Sequence, residues 1–174
     1  MIFQDPLSAL NPLMTVGDQI MEVMTAHQEG TKESRRARAL ELLREVGLPD
    51  PPLMFHQYPF RLSGGQRQRV MIAMALALEP SILIADEPTT ALDVTTQAQI
   101  LNLIREIQRR KGMSVMFITH DFGVVAELAD SVIVMEKGHI VEQGSAEEVL
   151  HKPRHPYTKR LIAAVPTLNR SDRL

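Results

Sequence analysis

Two short, unbroken apolar runs constrain this chain more than any other feature. Ser81-Ile82-Leu83-Ile84-Ala85-Asp86 and Val115-Met116-Phe117-Ile118-Thr119 each have the length of a strand, and neither alternates polar with apolar residues. A strand with that pattern is expected to be buried on both faces, which is the habit of parallel sheets. Between the runs, Asp93 can cap a helix over residues 93–110, with Gly112 just past its end. Two parallel strands need such a crossover, so the expected fold class is α/β with a parallel sheet.

The chain before these strands reads as helical. Thr15 can cap a helix with Asp18 at the capping-box position, followed by Ile20, Val23, Met24 and His27 at helical spacing. A second helix is expected over residues 32–46, capped by Thr31 and stopped by Gly47. Ala39, Leu40, Leu43 and Val46 form its apolar face, with Arg35, Arg36 and Arg38 on its solvated side. Four prolines (Pro49, Pro51, Pro52, Pro59) then break up a loop that leads to Ser63. Residues 64–78 read as a third helix, polar at first (Gln66 to Arg69) and then apolar all round, so its second half is expected to be buried. Ile2 and Phe3 resemble the end of a strand running into a loop.

After the second apolar run, a short helix is expected over residues 122–129. Residues 132–135 and 140–142 flank Lys137-Gly138 as a hairpin, Ser145 and Glu148 form a capping box, and a last helix follows Pro156. The resulting division is residues 1–14 as a strand end and loop, 15–78 as a helical subdomain, 79–144 as the α/β core, and 145–174 as a C-terminal extension.

Composition removes several function classes. Lys and Arg total 19 against 21 Asp and Glu, for a net charge of −2, and aromatic residues make up 4%. That balance gives no support to nucleic acid as a partner held by phosphate contacts, and so few aromatic residues leave little for base stacking. The absence of cysteine excludes disulfides, thiolate zinc sites, cysteine-held iron–sulfur clusters and a cysteine nucleophile. The longest apolar stretch, residues 70–78, falls far short of the roughly 20 residues that span a bilayer. Residues 1–6 lack the basic start and long apolar core of a signal peptide.

The chemistry concentrates in five places. In Leu62-Ser63-Gly64-Gly65-Gln66, Ser63 caps a helix, and two glycines let another group approach the backbone of its first turn. Unpaired N–H groups and the positive helix end suit phosphate there, although a capped helix with a flexible turn explains the same residues. Asp86 and Glu87 stand where a parallel strand surfaces, the place where α/β sheets bind ligands. An aspartate there suits a metal ion held with a nucleotide phosphate, and the glutamate can face a water; two solvated carboxylates are the plain alternative. His120 ends the other strand and, with the strands parallel, emerges at the same sheet edge. Gln4 ends the first apolar fragment and can report on that edge too. Asp93 is at least a helix cap. His151 and His155 stand four apart, but Pro153 lies between them and Pro156 follows, which disfavours helical metal-ligand geometry.

Taken in order, these residues closely resemble the ATP-binding subunits of ABC transporters, and the resemblance covers essentially the whole chain. Gln4 matches the family's Q-loop, Leu62 to Gln66 its signature motif, and Ile82 to Glu87 its Walker B strand with the catalytic glutamate. Leu92 and Asp93 match the D-loop and His120 the switch histidine. Residues 1–12 and 88–98 look like the branch that imports dipeptides, oligopeptides or nickel. So does the tail, His155-Pro156-Tyr157-Thr158 with Ala164-Val165-Pro166. The implied fold is a P-loop NTPase-like ABC ATPase, here a helical signature subdomain plus the C-terminal part of a parallel-sheet core.

The resemblance implies two ATP molecules, with Mg²⁺, at the interface of a head-to-tail pair of subunits. Asp86 and Gln4 would hold Mg²⁺, Glu87 would act as general base, and His120 would stabilise charge on the γ-phosphate. Ser63, Gly64, Gly65 and Gln66 would face the γ-phosphate across the interface, and Asp93 would link the two sites. The implied partners are transmembrane permease subunits, docked on Gln4 and residues 15–57, a second ATP-binding subunit, and indirectly a solute-binding protein. The implied location is peripheral, on the cytoplasmic face of the plasma (inner) membrane.

One departure stands out. The family carries a G-x-x-x-x-G-K-[ST] loop, Walker A, ahead of its Q-loop, and no such run occurs in these 174 residues. The expectation is an N-terminally truncated chain that does not hydrolyse ATP by itself. Two rivals follow: a split or decayed module that only docks a membrane partner, and a non-transport ABC-type ATPase. The second is disfavoured by the lack of heptads and of cysteines for a zinc-bearing insertion.

Overall fold

A computed structural model describes residues 1–90 and 92–164, which form two units, Met1–Ile118 and a second beginning at Thr119. Ala91, and the C-terminal extension from Val165 onward, lie outside the described residues.

The first unit opens with Ile2, which pairs in parallel with Ala85 through Ile2 N–H to Ile84 O (2.8 Å) and Asp86 N–H to Ile2 O (3.0 Å). A one-turn helix, α1 (Pro6–Ala9), follows under an Asp5 cap. α2 (Val16–Ala26) starts on Thr15, whose hydroxyl accepts the Asp18 N–H, as the spacing predicts. α3 (Lys32–Glu45) is capped by Thr31, with Gly47 beyond its end at φ +70°. Its buried face is Ala39, Leu42, Leu43 and Val46, while Leu40 is half-buried. The expected face thus lies against the core, with Leu40 at its edge, and it also includes Leu42, because Leu42 and Leu43 both turn inward.

The arginines of α3 also correct an expectation. Arg35 donates to the Glu29 and Gly30 carbonyls and to the Thr25 hydroxyl, Arg36 stacks 4.6 Å from the Phe55 ring centroid, and Arg38 pairs with Glu41 and Glu79. They tie α3 to its neighbours rather than simply solvating it.

The proline-rich loop is partly ordered as α4 (Pro51–Phe55) and a 3₁₀ turn over Pro59–Arg61, both with proline in the first turn, where its missing N–H costs nothing. α5 (Gly64–Leu76) ends two residues earlier than its apolar run suggests, and Val70, Met71, Ile72, Ala73 and Leu76 are buried along its second half. β1 (Ile82–Asp86) and β2 (Ser114–Ile118) pair in parallel from Ile82↔Ser114 to Asp86↔Ile118, with α6 (Val94–Lys111) as the crossover. β1 thus runs between Ile2 and β2.

Among the described residues this pair of strands is covered on one face. Leu83 and Ala85 join a core shared with Ile20, Leu42, Ile72, Ile100 and Ile104, but Ile82 (63% exposed), Met116 (49%) and Ile118 (44%) lie open on the opposite face. The continuous apolar pattern correctly signals strands, yet in these residues the helices of the core pack against the Leu83 face.

The second unit begins with α7 (Phe122–Leu128), capped by Asp121, which accepts the Gly123 and Val124 N–H groups. β3 (Ser131–Glu136) and β4 (His139–Ser145) form the expected antiparallel hairpin. Its turn residues Lys137 and Gly138 have φ of +51° and +82°, the pair of positive values that a type I′ turn requires. α8 (Ala146–His151) starts on the Ser145–Glu148 capping box and α9 (Pro156–Ala163) on His155, whose Nδ1 accepts the Tyr157 N–H. Glu142 of β4 holds the entry to α9 by accepting the Arg154 and His155 N–H groups at 2.7 and 3.1 Å.

Candidate functional site

The site is built on helix starts and strand ends. At α5, Ser63 and Gln66 cap one another: the Ser63 hydroxyl accepts the Gln66 N–H (3.2 Å) and the Gln66 side chain accepts the Ser63 N–H (2.9 Å). Gly64 and Gly65 occupy the turn between them, where helix geometry leaves N–H groups without intrahelical acceptors. Arg67 is turned away from this turn and donates to the Pro59 carbonyl (2.9 Å).

A second capped start stands beside the first. Asp93 caps α6 by accepting the Thr96 N–H (3.0 Å) and the Thr96 hydroxyl (2.7 Å). The Thr96 hydroxyl and N–H hold the Asp93 carboxyl below its ordinary value. The two starts enclose an open cleft of about 360 Å³, lined by Ser63, Gly64, Gly65 and Gln66 on one side and Leu92, Asp93 and Thr96 on the other. Arg69 and Gln99 complete it. The structure therefore brings Ser63, Gly64, Gly65, Gln66 and Asp93 to one cleft, although they are some thirty residues apart in sequence.

A separate group forms at the carboxyl ends of the strands. Gln4 is exposed, two residues after Ile2, and Asp86 ends β1 alongside, so both follow the ends of neighbouring parallel segments. The loop carrying Gln4 rests on α5 through Phe3 N–H to Met71 Sδ (3.4 Å). Glu87 has a left-handed backbone (φ +45°), costly for a glutamate and held by its N–H to Ile118 O (2.8 Å) and by the Thr90 hydroxyl on its Oε2 (2.7 Å). Asp86 and Glu87 are both half-buried. None of Gln4, Asp86 and Glu87 lines the cleft at α5. His120 is exposed and belongs to the second unit, two residues beyond the end of β2. His155 is engaged as a helix cap.

These residues fit part of a nucleotide site. A hydroxyl and first-turn N–H donors in a polar cleft suit a phosphate, and Asp86 with the Gln4 amide suits a Mg²⁺ ion that keeps most of its water. Sequence reasoning missed Thr96, Arg69 and Gln99 as walls of the cleft. Thr96 carried a readable signal, since it stands three residues after the cap Asp93; the other two are placed by tertiary packing alone.

With the geometry in place, the chain can be set beside known proteins. A family model described as ABC transporter matches residues 1–90, and one described as Oligopeptide/dipeptide transporter, C-terminal region, matches residues 141–174. The chain is 57% identical over 166 residues to the dipeptide transport ATP-binding protein DppD of Escherichia coli (strain K12), covering 95% of this chain and 51% of that protein. It is 57% identical over 171 residues to the oligopeptide transport ATP-binding protein OppD of Bacillus subtilis (strain 168), covering 98% and 48%. It thus spans about half the length of these relatives. Among solved structures, the bacterial ABC transporter cassette MJ0796, a dimeric structure, is similar with a TM-score of 0.69 at 34% identity, over 84% of this chain and 62% of that one.

Proposed function

This chain belongs to the ABC transporter family, and on that premise we propose that it is part of an ATP-binding and ATP-hydrolysing subunit that powers import of peptides or a related small solute through a membrane permease. The observation that carries the reading is the pairing of two family matches, one over residues 1–90, which include the Ser63–Gln66 wall of the cleft, and one to a peptide-transporter region over residues 141–174. Relatives at similar identity are named for dipeptide, oligopeptide and glutathione import. Among the described residues no helix is long and apolar enough to cross a membrane, and the subunit is proposed to sit peripherally on the cytoplasmic face, against permease subunits that engage Gln4 and residues 15–57. A solute-binding protein would be an indirect partner.

The two separated groups of residues support a division of labour between two subunits in a head-to-tail pair. On one subunit Asp86 and Gln4 would hold Mg²⁺, Glu87 would take the proton of an attacking water on its carboxylate, and His120 would steady charge on the terminal phosphate. The partner presents its copies of the Ser63 hydroxyl and the first-turn N–H groups of Gly64 and Gly65 from the other side, and Asp93 relays between the sites. Bound MgATP supplies the phosphoanhydride, whose cleavage depends mainly on positioning and electrostatics. The left-handed backbone of Glu87 is consistent with a residue held in place for such a role.

In a subunit of the relatives' full length, Glu87→Gln should retain ATP while turnover falls by about 10²-fold or more. Normal turnover of that variant would remove Glu87 from the role of base. The 174 residues contain no G-x-x-x-x-G-K-[ST] loop, so the lysine and backbone cradle for the β- and γ-phosphates are not among them. Purified alone, the chain is expected to turn over no MgATP, and measurable turnover would overturn that expectation.

A further inference from the structure

Gly65 sits inside α5 with no unusual backbone angle, so its lack of a side chain needs another explanation. A Cβ built there would lie 2.7 Å from the Thr96 Cγ2 methyl, a distance that real Cβ contacts do not reach; the next atom, Thr96 Cβ, is 4.0 Å away. Gly64 differs. Its Cβ would lie 3.4 Å from Leu92 Cδ2, an ordinary contact. The Thr96 methyl is also fixed in direction, because the Thr96 hydroxyl donates to Asp93 Oδ2 (2.7 Å) while its N–H donates to Asp93 Oδ1 (3.0 Å). A β-branched side chain with its hydroxyl committed has one place for its methyl.

We infer that Thr96 is a positioning residue: its methyl against Gly65 and its hydroxyl on Asp93 fix the first turn of α6 to the first turn of α5, so that the two walls of the cleft are set as one piece. Gly65 is glycine because α6 of the same chain stands against it. The space beside its Cα is filled by Thr96 and is not open to a ligand. The geometric part stands on the packing alone; its consequence for phosphate recognition rests on the function proposed above.

Substitutions separate these. In the 174-residue chain, Gly65→Ala should displace the backbone amide NMR signals of both Ser63–Gln66 and Thr96, and lower the thermal midpoint by about 5 °C. Thr96→Ser removes the methyl and keeps the hydroxyl on Asp93. Added to Gly65→Ala, it should return both sets of signals and most of the midpoint toward the parent. Gly64→Ala should leave the Thr96 signal in place. If Gly65→Ala does not fold, recovery of a folded spectrum in the double variant carries the same information. The inference is overturned if the double variant is as disturbed as Gly65→Ala, or if Gly65→Ala alone disturbs nothing. No nucleotide is needed for these readings. Rescue in a protein whose full-length form never binds ATP would support the positioning role and remove the ATP reading. Failed rescue alongside normal ATP binding by the full-length form would overturn the positioning role and leave the ATP reading standing.

Discussion

Helices α3 and α5 start on the same device. Thr31 and Ser34 cap each other at one, Ser63 and Gln66 at the other, and both helices send buried side chains into one core. Their glycines differ in kind. Gly30, before α3, has φ +62°, a backbone that favours glycine, whereas Gly65 is helical and is glycine because Thr96 packs against it. Their surroundings differ as well. The start of α3 also borders a cleft, but the other side of it comes from Met24 of α2 and from Ala77, Leu78 and Glu79 just past the end of α5, while the start of α5 faces a second capped helix start. A reciprocal cap therefore says that a helix begins, and nothing about function. What marks α5 is the close approach of α6, which places the Asp93 carboxylate opposite first-turn N–H groups.

Four measurements would break or sharpen that comparison. The largest effect is expected in the shared core, where Leu42→Ala in α3 and Ile72→Ala in α5 remove side chains that are fully buried. Each should cost about 2–5 kcal/mol by urea denaturation. A markedly smaller loss at Ile72 would show that α5 is a loosely held functional element and not an equal structural member.

The caps come next. Thr31→Ala and Ser63→Ala should each cost about 1 kcal/mol, since each removes the same kind of hydrogen bond at an exposed helix start. The two should then part company in a full-length subunit, where Ser63→Ala alone weakens ATP-dependent pairing of subunits in sedimentation or light scattering. Equal behaviour in that assay would erase the functional distinction between the two helix starts.

A third effect is smaller and local. Thr96→Val keeps the branched shape but withdraws the hydroxyl from Asp93. The Asp93 carboxyl should then titrate closer to its ordinary value of 3.8 in a carbon-detected NMR titration. An unchanged titration would mean that the hydroxyl does not hold the carboxylate.

The smallest effect is the pH dependence that follows. Asp93 has a folded-state value below its unfolded one, so the cap's contribution is complete above about pH 3.8 and fades as pH falls through the folded value. Amide exchange at the first turn of α6 should accelerate in that acidic window and not between pH 5 and 8. Acceleration near pH 6 would point to a different group.

Much of this was legible in the residues. Caps are local chemistry, so Thr15, Thr31, Ser63, Asp93 and Ser145 each announced a helix start that the structure contains. Lys137-Gly138 announced a turn because few residues tolerate positive φ in succession. The parallel pairing of β1 and β2 followed from two apolar runs joined by a helix-length crossover. The failures are of another kind. Leu42 and the tethered arginines of α3 both depend on which neighbour arrives beside them, and helical period carries no record of that.

The same division holds at the site. Residue order alone determined that Ser63-Gly64-Gly65-Gln66 would present a capped helix start and that Asp86-Glu87 would stand at a strand end, because those outcomes depend on hydrogen bonds within a few residues. Tertiary structure decided that Asp93 and Thr96 face Ser63–Gln66, that Gly65 is hemmed in by a methyl group, and that the segment leading to Gln4 pairs with β1 through Ile2 and Ala85. Those contacts join segments thirty to eighty residues apart, and they exist because burying Ile72, Leu83, Ile100 and Ile104 in one core leaves the helix starts no other place to be.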